Sequence, residues 1–370
     1  MKALAARVGL ALASLALTLL FVELAFRAID PPAPEPPCLH REGVARDEHC
    51  VFNDYHPLLG FDGKRNVRGA WGPTASHNSL GFRGPEIDAS NRRGDRRIVF
   101  LGDSQTWGFR LQDDETIPAA VERILDRDDP SPRWEAVNLG LSGYGPDQSF
   151  LRYLIEGRSL DPEVVVFVLF PNDLTEVRKT RAWNVTKPRF YFSASGDLCL
   201  GNVPPERLPG WEGNQIVATD PFWARFATLR FLMDHEWPPG LLAWFDRPDV
   251  GAIADAIPCV TSDPGPESDA FQLTSAILDR LADAVGGAGK KLVVVFVPIR
   301  FQFESIQAQP YYRDIDRRLR ARGIATVEFR RALWEYARAH PDEPVFDSSG
   351  HLRAAAIRDV VAPAIAAAIR

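Results

Sequence analysis

The chain has 370 residues, 45% of them hydrophobic and 25% charged, which is enough apolar content for one large domain or two smaller ones. Its 27 glycines and 30 prolines stay well below the roughly 25–30% that marks low-complexity disorder, and no G-X-Y period is present, so a disordered or fibrous protein is excluded. A formal net charge of −6 leaves no basic excess to release counterions from a phosphate backbone, and no nucleic acid is expected as a partner.

At the N-terminus, Lys2 and Arg7 precede an uncharged run from Val8 to Val22. The run alone is short against the roughly 20 residues that span a bilayer, but Ala3 to Phe26 is long enough if Arg7 and Glu23 snorkel to the interfaces. No small-x-small cleavage site follows, which favours an uncleaved signal anchor over residues 1–29 against a cleaved signal peptide or a buried core helix. The positive flank puts the N-terminus in the cytoplasm and the rest of the chain outside it, as a single-pass cell-membrane protein with a periplasmic domain. Asp30 to Pro37 is proline-rich and extended, and residues 30–75 read as stalk and linker. The four cysteines then lie in an oxidising compartment, which favours pairing Cys38 with Cys50 and Cys199 with Cys259 among three possible connectivities.

From residue 96 onward, short apolar runs alternate with helical patterns, the signature of a parallel sheet with crossover helices on both faces. The runs predict five strands, over Arg97–Leu101, Glu135–Leu139, Val164–Phe170, Leu292–Val297 and Ile324–Phe329. Helices are expected over Thr116–Leu125 and Phe271–Val285, the second stopped by Gly286, Gly287 and Gly289. A last helix over Arg353–Ile369 is interrupted by Pro363. The stretch at 174–270 is too long for a crossover and reads as an insertion, with a hairpin around Ser193–Asp197. It carries Trp183, Trp211, Trp223, Trp237 and Trp244, either a satellite cluster under a long loop or a cap over a substrate pocket.

Doubly wound parallel sheets bind ligands beyond the carboxyl ends of their strands. Those ends carry Gly102-Asp103-Ser104-Gln105-Thr106-Trp107-Gly108, Asn138-Leu139-Gly140-Leu141-Ser142-Gly143-Tyr144-Gly145 and Pro171-Asn172-Asp173-Leu174, and Asp347-Ser348-Ser349-Gly350-His351 precedes the last helix. Together they supply a hydroxyl nucleophile, close-approach backbone N–H groups, an amide donor and an imidazole, the parts of an acyl-transfer site. Each turn alone has a plainer reading as N-cap or surface turn; their order along the chain is harder to obtain by accident.

That order resembles the four sequence blocks of the SGNH (GDSL-type) hydrolase superfamily, with Ser104, Gly143, Asn172 and His351 at the matching positions. The resemblance covers residues 76–370 apart from the insertion, and His77 to Gly84 is similar to a segment of membrane-anchored bacterial members. It implies a three-layer α/β/α sandwich with a five-stranded parallel sheet in a flavodoxin-like order. It further implies Ser104 as nucleophile, His351 as base, and an oxyanion hole formed by the Ser104 and Gly143 N–H groups with the Asn172 amide. Gly140 and Gly145 are rivals to Gly143, while Asp103 and Asp173 read as local turn stabilisers.

The triad acid departs from the family pattern. The superfamily places it two or three residues before the histidine, whereas Asp347 stands four before His351. Asp347 in a bulged loop is the expected orienting group; the alternatives are a backbone carbonyl or water, or the pair Asp342 and Glu343. No metal-ligand spacing and no phosphate-cradling glycine loop is present, so no cofactor and no metal are expected. The expected activity is a serine esterase acting through an acyl-enzyme on an ester, such as an acylated envelope glycan or lipid. Two alternatives are an SGNH-type O-acyltransferase of an extracytoplasmic polysaccharide and a non-catalytic, membrane-tethered binding module.

Overall fold

The computed structural model describes residues 14, 17–25, 53–67, 75–182, 185–206, 249–300 and 311–370. In chain order the strands are β1 (Asn53–His56), β2 (Gly60–Gly63), β3 (Arg96–Leu101), β4 (Trp134–Asn138), β5 (Val164–Leu169), β6 (Arg181–Ala182), β7 (Val185–Thr186), β8 (Arg189–Phe192), β9 (Leu198–Gly201), β10 (Lys291–Phe296) and β11 (Ala325–Glu328). Five of them form the central sheet in the order β11-β10-β5-β3-β4, all parallel. The strand order reverses between β3 and β5, so the crevice for a ligand opens beyond the ends of those two strands. The five strands begin and end within a residue of the apolar runs that predict them.

Both faces of the sheet are covered, because alternate residues of each strand point to opposite sides. Val99, Leu101, Val165, Phe167, Val294 and Phe296 face one core, which α3 (Pro146–Ile155) and α5 (Ala270–Gly287) close. Ile98, Phe100, Val164, Val166, Val293 and Val295 face the other, closed by α2 (Ile117–Asp128) and α8 (Ala362–Ile369). Further helices are α1 (Ser104–Trp107), α4 (Asp173–Glu176), α6 (Arg313–Ala321) and α7 (Arg330–Ala339). The Thr116 hydroxyl caps α2 by accepting from Ala119 N–H, with Pro118 in the tolerated first turn.

Several elements differ from expectation. The hairpin β1–β2 falls in the stretch read as linker, yet it packs into the domain: Leu58, Leu59 and Phe61 are buried in the core. Arg152 of α3, itself fully buried, pairs with Asp62 at 2.9 Å and Glu156 at 2.8 Å, which ties that hairpin to the sheet layers. Helix α5 continues through Gly286 and Gly287 and ends at Ala288, before Gly289 at φ +71°. Pro363 does not interrupt the last helix. A π turn over Ile357–Val361 joins Ala354–Ala356 to α8, and Pro363 falls in the first turn of α8, where its missing N–H costs little.

In the insertion, β8 and β9 form the expected antiparallel hairpin, turned at Ser193–Asp197. A disulfide joins Cys199 of β9 to Cys259, as expected. The five tryptophans of the insertion, the pair Cys38 and Cys50 and most of the proposed anchor lie outside the described residues. Residues 17–25 are helical, and among the described residues no helix is long and apolar enough to cross a membrane.

Candidate active site

The β3 end is built to present Ser104. Gly102 turns the chain at φ +146°, where a side chain would meet Thr106 Oγ1 at 2.4 Å and the Val168 carbonyl at 2.8 Å. The buried Asp103 then caps α1, its carboxylate accepting from Gln105 N–H at 2.9 Å. Ser104 is the first residue of that short helix, and Gly108 closes it in the left-handed region at φ +89°. The neighbouring loop is coupled to it, since Asn138 donates to the Thr106 carbonyl at 2.9 Å and accepts from Gly140 N–H at 3.0 Å.

His351 reaches the same point from the far end of the chain. Its Nε2 lies 2.8 Å from Ser104 Oγ. The loop that carries it is pinned by the antiparallel bridge between Phe346 and Leu352 and by Asp347 N–H donating to the His351 carbonyl at 2.8 Å. Phe109 stacks on the imidazole at 4.5 Å, with the ring planes 29° apart. The expectation that Asp347 directly orients His351 needs correction: Asp347 Oδ1 is 3.9 Å from His351 Nδ1, beyond hydrogen-bond distance. The extra residue in the loop folds the Ser349 hydroxyl between them, 2.7 Å from Asp347 Oδ1 and 2.9 Å from His351 Nδ1. The alternative acid Glu343 is engaged elsewhere, accepting from the Tyr336 hydroxyl at 2.7 Å.

Burial acts to raise the Asp347 carboxyl, but hydrogen bonds from the Ser349 hydroxyl and from the His351 and Ser349 N–H groups outweigh it and hold the group below its ordinary value. Burial lowers His351; the charge on Asp347 opposes that shift and the charge on Arg110 adds to it. The net effect lowers His351 and so favours its neutral form.

Gly143 occupies a β-turn closed by Tyr144 N–H donating to the Leu141 carbonyl at 3.0 Å, at φ +85°, the left-handed conformation that favours glycine. The rivals have steric duties: a side chain on Gly140 would meet Thr106 Cβ at 2.6 Å, and one on Gly145 would meet Asp147 Oδ1 at 2.6 Å. Asn172 stands just past β5 at the start of α4, its side chain facing the Asp103 carboxyl. Asn172 Oδ1 is buried without a hydrogen-bond partner among the described residues. Asp173 accepts from Phe170 N–H at 2.8 Å and closes the β5 turn, the local role expected of it. Burial pushes Asp103 up to about 6, and burial together with the charge on Asp103 drives Asp173 well above the carboxylate range.

The HNSLGFRG segment is structural. His77 Nδ1–H donates to the Lys64 carbonyl at 3.0 Å and Nε2 accepts from Trp107 Nε1–H at 2.8 Å, so the ring braces α1 from behind. Burial lowers its pKa to about 3. Among the described residues no group of His, Cys, Asp and Glu side chains could hold a metal ion. A cleft of about 780 Å³ opens beside the histidine loop, lined in part by Phe109, Arg110, Asp347 and Ser348, and neither Ser104 nor His351 lines it. Three contributors escaped the sequence reading: Gln105, Phe109 and Ser349. Only Ser349 left a trace, in the irregular spacing from Asp347 to His351.

No family model matches the chain, and no curated protein does. Among solved structures it is similar to an α/β-hydrolase enzyme from the metagenome of Lake Arreo, at 15% identity and TM-score 0.40 over 74% of this chain and 94% of that one. An acetylxylan esterase from Geobacillus stearothermophilus aligns at 13% identity and TM-score 0.40 over 74% and 94%. A lipase/acylhydrolase from Enterococcus faecalis aligns at 11% identity and TM-score 0.38 over 74% and 95%. The chain itself has an α/β fold on a five-stranded parallel sheet, with Ser104 and Asn172 at the ends of β3 and β5 and His351 against Ser104.

Proposed function

We propose that the protein is a metal-independent serine esterase working through a covalent acyl-enzyme. The observation that carries this reading is the 2.8 Å contact between Ser104 Oγ and His351 Nε2, two residues 247 positions apart in the sequence. As Ser104 Oγ attacks an ester carbonyl carbon, its proton passes to Nε2, a transfer that contributes typically about 10² to 10⁴ in rate. The tetrahedral oxyanion is received by the N–H of Ser104, which heads a helix, by the N–H of Gly143 and by the Asn172 amide. One such donor is worth roughly 2.7 to 4 kcal/mol. The imidazolium then returns the proton to the departing alcohol, and water repeats the cycle on the acyl-enzyme to regenerate Ser104. A base held against a serine by a braced loop is more than a passive glycan-binding module requires.

The ester is read as one outside the cytoplasmic membrane, on an envelope glycan or lipid, with the domain tethered through the N-terminal segment. The Cys199–Cys259 disulfide supports that compartment, since disulfides persist in oxidising surroundings. Turnover of p-nitrophenyl acetate by the purified protein tests the reaction. Ser104→Ala should abolish it while leaving the circular dichroism spectrum unchanged, and full activity in that variant would refute the assignment.

A further inference from the structure

We infer that Ser349 is a positioning residue of the site, transmitting the charge of Asp347 to His351 and fixing the imidazole in the tautomer that leaves Nε2 open to the Ser104 proton. The inference builds on the reading of Ser104 and His351 as nucleophile and base.

The proton inventory of the loop allows one arrangement. Ser349 Oγ lies 2.7 Å from Asp347 Oδ1 and 2.9 Å from His351 Nδ1, but a hydroxyl has a single hydrogen to donate. Two oxygens 2.7 Å apart need a hydrogen between them, and an Asp347 carboxyl held below its ordinary value is ionised and has none to give. Ser349 therefore donates to Asp347 and accepts from Nδ1–H. A neutral imidazole protonated on Nδ1 carries its lone pair on Nε2, which faces Ser104 Oγ.

The carboxylate is anchored for this task and cannot easily swing to Nδ1 itself. Asp347 Oδ1 also accepts from Ser349 N–H at 2.8 Å and His351 N–H at 2.9 Å, so a swing would strand two backbone donors. Gly350, at φ +86°, supplies the left-handed step of the loop between Ser349 and His351. When the Ser104 proton moves to Nε2, the Nδ1–H bond to Ser349 becomes charge-assisted, and the Asp347 charge keeps the hydroxyl dipole turned to receive it. Neither Ser349 nor Asp347 changes its protonation state at any step.

Ser349→Ala should lower kcat for p-nitrophenyl acetate by about 10- to 100-fold, part of the roughly 10² to 10⁴ that positioned proton transfer contributes, with KM nearly unchanged. The acidic limb of its pH–rate profile should move to lower pH, because the imidazolium loses an acceptor. Ser349→Thr keeps the hydroxyl and should recover most of the rate. Wild-type kcat and an unshifted profile in Ser349→Ala would overturn the inference. Nitrogen-15 spectra of the unmodified protein decide the point without a variant: Nδ1–H on neutral His351 is expected, and an Nε2–H tautomer would overturn the inference. A protein that shows the Nδ1–H tautomer yet hydrolyses no ester would refute the esterase reading and leave the role of Ser349 in place.

Discussion

Gln105 holds the loop of His351 from the position next to Ser104: its Nε2 donates to the Gly350 carbonyl at 3.1 Å and its Oε1 accepts from Leu352 N–H at 3.2 Å. The two backbone partners flank His351 on either side. One buried amide thus sets the distance between a serine on the β3 turn and a histidine 247 positions away. Rigid support of this kind matters because displacement of a base by about 1 Å can cost on the order of 100-fold in rate.

Gln105→Leu keeps the volume and removes both hydrogen bonds, leaving the buried Leu352 N–H unpaired. The expected outcome is a loss of roughly 1 to 3 kcal/mol in stability and a fall in kcat larger than any change in KM. Urea unfolding together with p-nitrophenyl acetate kinetics measures both. A variant that keeps wild-type kcat would show that the clamp is not needed for alignment.

The pH dependence of turnover follows from His351. Burial lowers its pKa from the ordinary 6.5, and only the neutral ring can take the Ser104 proton. Activity should therefore rise with pH through a midpoint below 6.5. A midpoint above 6.5 in kcat/KM for p-nitrophenyl acetate would contradict the burial of the base.

Asp103 gives a pH dependence of stability with the opposite sense to that of a salt-bridged carboxylate. Its folded-state pKa is raised from 3.8 to about 6 by burial, so the folded protein binds this proton more tightly than the unfolded chain. The contribution is fully present below pH 3.8 and is lost as pH rises through about 6. Asp103→Asn retains an oxygen for the Gln105 N–H and carries no charge. Its stability relative to the wild type should climb by roughly 1 to 3 kcal/mol between about pH 4 and pH 7 in urea unfolding. A difference that stays constant with pH would show that Asp103 is not buried as a proton-binding group.

The parallel sheet was legible because its strands are near-continuous Val, Ile, Leu and Phe runs, a pattern that burial on both faces enforces. Ser104 and His351 were legible because their local turns stand at strand and helix ends in a fixed order. The hairpin at residues 53–63 was not, since Leu58, Leu59 and Phe61 are too few to show a period and owe their burial to distant partners such as Tyr144, whose hydroxyl donates to the Phe61 carbonyl at 2.7 Å. Pro363 misled because a proline in isolation predicts a break, whereas the π turn before it absorbs the geometry. Gln105 and Ser349 stayed hidden for a shared reason: their roles depend on how one loop sits against another, and residue type alone does not record that.

We propose that Ser104 is a nucleophile activated by His351. Labelling with a fluorophosphonate probe followed by peptide mapping tests it without knowledge of the natural ester, since an unactivated serine does not react. The label is expected on Ser104 alone in the wild type, with no labelling in Ser104→Ala and strongly slowed labelling in a folded His351→Ala. A wild-type protein that remains unlabelled, or one labelled equally well without His351, would contradict it.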